Sequence, residues 1–297
     1  MKTQADILCI GSVLWDVIGR TAIHMQVGAD VPGRITRLPG GVAMNIAMTL
    51  RRFGLTPALL TSIGRDPEGD ELVADAIRRG MVTDTIYRSE DLPTDVYMAI
   101  EGGNGLIAAI ADAHSLEAAG AKILAPLSDG MLGTAEAPWR GCVALDGNLT
   151  VELLQTIASS PLFAAADLRV APASPGKAER LLALLGHPSA TLYVNREEAG
   201  LICHTQFETA PAAAAALIAK GAARVLVTDG GKPTSVATAD RIITQTPASV
   251  LVTRITGAGD TFMAAHIAAE LGGADAEDAL SQALAAAAAY VSGETPI

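Results

Sequence analysis

At 297 residues the chain is long enough to bury a large core, as one big α/β domain or as a domain with a small appendage. Half of it is hydrophobic but only 3% is aromatic, so Ala, Leu, Ile and Val must fill that core. With 32 acidic against 21 basic residues, a formal charge of −11 and no Lys/Arg cluster, the composition excludes a nucleic-acid partner, although a small anion can still bind in a local pocket.

The N-terminal stretch MKTQADILCIGS has no apolar leader, and no run reaches the length of a membrane span, so a soluble cytoplasmic protein without a membrane partner is expected. DILCIGS is the first expected strand. Cys9 within it, and Cys142 within CVALDG, read as buried reduced thiols, because the three cysteines are odd in number and lack metal-ligand spacing. Beyond that strand lies Asp16, either a solvated loop carboxylate or an acceptor for ligand hydroxyls. Residues 13–38 alternate apolar and polar with Gly and Pro and show no helical period. In LPGGVAMNIAMTLRRFG, Gly40 and Gly41 precede a helix and Asn45 lies one turn in. The glycines are a plain turn or a hinge, and Asn45 is a helix-face polar residue or a ligand contact.

ALLTSIG follows as a strand and PEGDELVADAIRRG as a helix. Residues 86–111 read as two or three strands around a Gly-Gly-Asn-Gly turn. Together with 13–38 they predict a small second sheet, a lid inserted into a single domain spanning 1–297. CVALDG, TLYVN, RVLVTDG and SVLVTRI complete the expected strands. Helices such as PAAAAALIAKG and AEDALSQALAAAAAYVS lie between or after them, which predicts a mostly parallel sheet covered on both faces.

In YVNREEAGL, Asn195 and Glu198 are three apart at a helix start. That is a capping box, or a pair able to hold Mg²⁺ through water. Thr228, Asp229, Gly230 and Gly231 close the next strand as a hairpin turn, or as a floor for a purine and ribose. SVLVTRITGAGDTF then runs from an expected strand through Thr256 into Gly257, Ala258 and Gly259, with Asp260 in the first turn of a helix. Backbone N–H groups at the positive end of a helix form an anion site, and small residues let a phosphate come close. A carboxylate beside a resting phosphate makes chemical sense as a base for an attacking hydroxyl; otherwise Asp260 is a helix cap. A P-loop needs Lys and Ser/Thr after the last Gly, and a dinucleotide fingerprint needs a small residue where Phe262 stands, so neither fits.

PGGVAMNIAMTLRRFGL with SIGRDPEGDEL, NREEAG and TGAGDTFMAA, in this order, resemble the signatures of the ribokinase-like (PfkB) carbohydrate kinase family over nearly the whole chain. The resemblance implies a three-layer αβα sandwich with a small β lid. It also implies ATP-dependent phosphorylation of a sugar or nucleoside hydroxyl. Asp260 would be the base, and Gly257, Ala258 and Gly259 the anion hole. Asp16, Gly40, Gly41 and Asn45 would hold the acceptor. Asn195, Thr228, Asp229, Gly230, Gly231 and Thr256 would line the ATP site, with Glu198 on Mg²⁺ through water. A homodimer through the lid is implied as well.

Within the family, PGRITRLPGGVAMNIA, the AAIADAH run and VALDGNL are most similar to pseudouridine kinases, for which Asp112, Asn104 and Thr94 are candidate contacts to the base. Ribokinase, fructokinase or ketodeoxygluconate-type kinases are the alternative, and a non-catalytic nucleoside-binding protein is the alternative of another class. Two departures stand out. Arg254 occupies the position, six before Asp260, where many relatives carry an acidic or amide residue that helps hold a monovalent cation, which predicts little K⁺ activation. Ala171 stands where relatives often place a polar residue.

Overall fold

The computed structural model describes residues 5–294. β1 (Ile7–Ile10) is fully buried and leads out of the core into β2 (Leu14–Arg20) and β3 (Arg34–Gly40), after which α1 (Val42–Arg52) returns to it. β4 (Pro57–Leu60), β5 (Ser62–Gly64), α2 (Pro67–Arg78) and β6 (Tyr87–Ser89) follow, then the hairpin of β7 (Val96–Gly102) and β8 (Gly105–Asp112). The short α3 (His114–Ala119) leads to β9 (Cys142–Asp146), α4 (Val151–Ser159), β10 (Asp167–Ala171) and β11 (Ala190–Asn195). The chain ends in α5 (Arg196–Cys203), α6 (Ala210–Ala219), β12 (Arg224–Asp229), β13 (Lys232–Thr238), β14 (Ile242–Gln245), α7 (Ala258–Leu271) and α8 (Ala276–Ser292).

Among the described residues the main sheet has eight strands in the order β4-β1-β9-β10-β11-β12-β13-β14. The first six are parallel and the last two antiparallel. Strand residues point alternately to the two faces, and both faces are apolar. Leu8, Ile10, Val143, Leu145, Val170 and Leu192 pack with α4, α5 and α6. Ile7, Cys9, Leu59, Ala144 and Leu226 pack with α1, α2, α7 and α8. The protein is an αβα sandwich. Its alanine-rich α7 and α8 pack directly on each other, and small side chains allow that close approach. Cys9 and Cys142 are buried free thiols, and burial pushes Cys142 up to about 12.

A second sheet, in the order β3-β2-β7-β8, stands on the carboxyl end of β1. Its second insertion begins at Val96, not at residue 86, because β6 pairs in parallel with β5 and belongs to the body. SVLVTRI departs from expectation altogether. Residues 246–257 form no strand, Leu251 is 81% exposed, and the outer edge of β14 is left open. β10 is a strand that apolar patterning does not announce, since Asp167 and Arg169 interrupt it.

Candidate active site

The carboxyl ends of the parallel strands all lie at one edge of the sandwich, and most of the residues singled out above gather there. At the end of β1, Ser12 meets Asp146 from the end of β9. The Asp146 carboxylate is wholly buried and accepts from the Ser12 N–H (2.7 Å), the Ser12 hydroxyl (3.0 Å), the Asn148 N–H (2.8 Å) and the Ala43 N–H (3.2 Å). Burial pushes its pKa upward, and those hydrogen bonds pull against the shift. Ser12 Oγ in turn accepts from Val42 N–H (2.9 Å) and Asn148 Nδ2 (2.8 Å). The first turn of α1 is thus bonded to the ends of two strands.

Gly41 caps α1 with φ +89, and a side chain there would run into the Ser12 carbonyl. Gly40 leaves the room taken by the Asp16 carboxylate of β2. Asp16 is half-buried, and desolvation raises its pKa to about 6. One turn into α1, Asn45 Nδ2 donates to Asp260 Oδ2 at 2.8 Å, joining positions 215 apart in sequence.

Asp260 occupies the first turn of α7, whose N-cap Gly257 has φ +86. The Ala258 N–H is committed to the Ile255 carbonyl (3.0 Å) and that of Thr261 to Gly257 (3.0 Å). The N–H groups of Gly259 and Asp260 have no intrahelical acceptor and face out from the helix end. Space around Gly259 is open: nothing lies within 4 Å of where a Cβ would stand. Desolvation raises Asp260 to about 7, the Asn45 hydrogen bond opposes the shift, and the charges of Asp146, Asp16 and Glu198 add to it. A carboxyl tuned to neutrality, beside free amide hydrogens and near a second carboxylate, suits taking a proton from a hydroxyl.

Asn195 ends β11 opposite Thr228 of β12. It caps α5 in a full capping box: its Oδ1 accepts from the Glu198 N–H and Glu198 Oε2 from its own N–H, both at 2.8 Å. Glu198 is buried, and desolvation raises its pKa. Asp229 pairs with Arg196 (2.9 Å), and Gly230 and Gly231 make the two-residue turn from β12 into β13. Thr256 is exposed just before Gly257, its carbonyl bonded to the Tyr290 hydroxyl (2.8 Å).

Three residues considered for a nucleobase lie elsewhere. Asp112 is in register with Val96 and Trp15, one residue out of step with Asp16 and Tyr97. Alternation puts it on the opposite face of the small sheet, exposed and paired with His114. Thr94 is buried, its N–H and hydroxyl both given to Asp66. Asn104 braces the Met25 backbone. Ala171 ends β10, its carbonyl accepting from the Gly147 N–H. Ser12, Asp146 and Asn148 escaped the sequence reading. The one available signal was an Asp-Gly-Asn closing an apolar strand.

Residues 4–297 match the profile of the pfkB family carbohydrate kinases. The chain belongs to the pfkB family. It is 31% identical over 158 residues (53% of this chain, 42% of the relative) to the uncharacterized sugar kinase YeiI of Escherichia coli. It is 30% identical over 100 residues (34% and 26%) to the pseudouridine kinase of Arabidopsis thaliana. These matches span less than half the length of either relative. A carbohydrate kinase from Agrobacterium tumefaciens superposes with a TM-score of 0.79 at 25% identity, covering 96% of this chain and 90% of that one.

Proposed function

We propose that the protein transfers the γ-phosphate of ATP to a primary hydroxyl of a nucleoside or sugar, with the 5′-hydroxyl of pseudouridine as the favoured acceptor. The hydrogen bond between Asn45 and Asp260 carries this reading, because it sets an acceptor-side residue against the base at the anion turn. Asp16 and Asn45 hold the acceptor hydroxyls, with Gly40 and Gly41 shaping the turn beneath them. Asp260 takes the proton of the attacking hydroxyl as its oxygen bonds to the γ-phosphorus. The bond to the β–γ bridging oxygen breaks and ADP leaves with the electron pair. The N–H groups at Gly257, Gly259 and Asp260 stabilise the charge on the moving group, while Ala258 contributes small size.

Asn195, Thr228, Asp229, Gly230, Gly231 and Thr256 form the nucleotide side. The open space at Gly259 fits a polyphosphate approaching the backbone. Mg²⁺ would be held mainly by phosphates and water, with Glu198 reached through water. Bound there, Mg²⁺ would neutralise phosphate charge. Residues 1–297 act as one catalytic domain with the small sheet as its lid, excluding water that would compete as acceptor.

The similarity to a pseudouridine kinase supports a nucleoside, and that to a named sugar kinase supports a sugar as the second choice. The outer face of the small sheet exposes Ile35, Met98, Ile100 and Ile110, an apolar surface suited to pairing with a second copy. Sedimentation at the monomer mass would remove the dimer. No helix among the described residues is long and apolar enough to cross a membrane. ADP release measured with pseudouridine, uridine, adenosine, ribose and fructose tests the whole reading. ADP with pseudouridine alone is expected, ADP with ribose or fructose alone would assign a sugar kinase, and none with any acceptor would leave a nucleoside-binding protein.

A further inference from the structure

Residues 251–257 deliver the anion turn yet belong to no sheet, so something else must set their position. The last turn of α8 does so. Its Val291 carbonyl accepts from the Thr253 N–H (2.8 Å), the Thr253 hydroxyl (3.0 Å) and the Arg254 N–H (3.3 Å). The Tyr290 carbonyl accepts from Arg254 Nε (2.7 Å), and the guanidinium lies 3.9 Å over the Tyr290 ring. Carbonyls at a helix C-terminus lack intrahelical partners and carry partial negative charge, so donors and a cation are well placed there. The Tyr290 hydroxyl then donates to the Thr256 carbonyl at 2.8 Å, one residue before the turn. A Cβ on Gly257 would come within 2.6 Å of that hydroxyl, so the turn lies directly against it.

We infer that Tyr290 is a positioning residue for the anion turn, with Arg254 holding its ring and the loop together. The inference rests on the phosphotransferase reading for its catalytic consequence, but its structural content stands apart from it. Tyr290 reaches the Thr256 backbone and acts through the direction in which the Gly259 and Asp260 N–H groups and the Asp260 carboxyl are presented. Packing alone would need the ring and not its hydroxyl, so Tyr290→Phe, which keeps the ring and the stacking, separates the two roles.

Amide hydrogen exchange of the ligand-free protein reads the position, and steady-state kinetics reads its effect. In Tyr290→Phe, exchange at residues 253–260 is expected to rise about tenfold with α1 unchanged. kcat should fall about tenfold with the KM for the acceptor unchanged, since Asp16 and Asn45 are untouched; a misplacement of about 1 Å can cost ~10²-fold. Arg254→Gln should show the same pattern more weakly. Unchanged exchange, a rise spread evenly over α7 and α8, a kcat within twofold of the parent, or an acceptor KM that rises as kcat falls would each overturn the inference. A parent protein that phosphorylates nothing would defeat the kinase reading, and the exchange arm would still decide whether Tyr290 positions the turn.

Discussion

The glycine turn that opens α1 and the one that opens α7 meet across the Asn45–Asp260 hydrogen bond, but they are held in opposite ways. At Gly41 the backbone is tied into the interior: Ser12 and Ala43 give their N–H groups to Asp146, and Val42 gives its own to Ser12 Oγ. At Gly257 the chain arrives through a loop with exposed Leu251, Val252 and Ile255 and rests on the end of one helix. Buried hydrogen bonds to a carboxylate are strong and expensive to break, whereas bonds at an exposed helix end compete with water. The α1 turn is therefore held from within the core, and the α7 turn is left open at the surface.

Removing the buried anchor should have the largest effect. Asp146→Ala strands three N–H groups in the interior and is expected to lower stability by about 3 kcal/mol or more, read from urea midpoints. A loss below about 1 kcal/mol would mean that the α1 turn is not held from beneath.

Asp260→Asn should leave the fold and ATP binding intact while turnover drops ~10²-fold or more, a barrier increase of about 2.7 kcal/mol. Near-parental turnover would strip Asp260 of its role as base. The raised pKa gives a matching pH dependence. The ionised form is the base, so kcat/KM should climb about tenfold per pH unit up to about 7 and level off above it. The same shift works against stability. A carboxyl moved from 3.8 to about 7 contributes fully below pH 3.8, and that contribution is lost as pH rises through 7.

The two turns can be contrasted with the smallest side chain. Gly41→Ala must enter a left-handed conformation against the Ser12 carbonyl, costing about 1–2 kcal/mol from the conformation alone. Gly259→Ala meets open space inside a helix and should be neutral or stabilising by up to about 1 kcal/mol, while kcat/KM for ATP falls because a methyl blocks the approach of phosphate. Equal stability losses at the two positions would erase the contrast.

The smallest effect concerns the monovalent cation. With the Arg254 guanidinium already set on the end of α8, replacing K⁺ by a large organic cation should change the rate less than about twofold. A many-fold activation by K⁺ would show that the loop needs an ion as well.

Much of this site is legible in the chain because its parts are local. Gly257 to Asp260, Gly40 to Asn45, and Asn195 with Glu198 each declare a strand or loop entering a helix. Each does so through neighbours whose spacing is set by one helical turn. Asp112 is different: its face depends on the register of β8 against β7, and a shift of one residue reverses every side chain. SVLVTRI carries the β-branched pattern of a strand, yet the backbone N–H groups of Thr253 and Arg254 go to the Val291 carbonyl of α8 and the Arg254 side chain goes to that of Tyr290, which no local pattern reveals. β10 was missed for the converse reason. The charge on Arg169 is tolerated because Asp167 and, from α7, Glu270 pair with it, while Tyr193 bonds both Arg169 and the buried His266.

The sequence by itself determined the layered α/β architecture, the two glycine turns and the carboxylate at the second of them. Apolar periodicity and helix-start chemistry act over a few residues, and the chain carries them wherever it folds. Only the tertiary structure decided that Asn45 touches Asp260, that Asp146 anchors α1, and that the end of α8 holds the anion turn. Those contacts join residues far apart in the chain. Their energies come from desolvation and hydrogen-bond partners that exist only once the strands lie side by side.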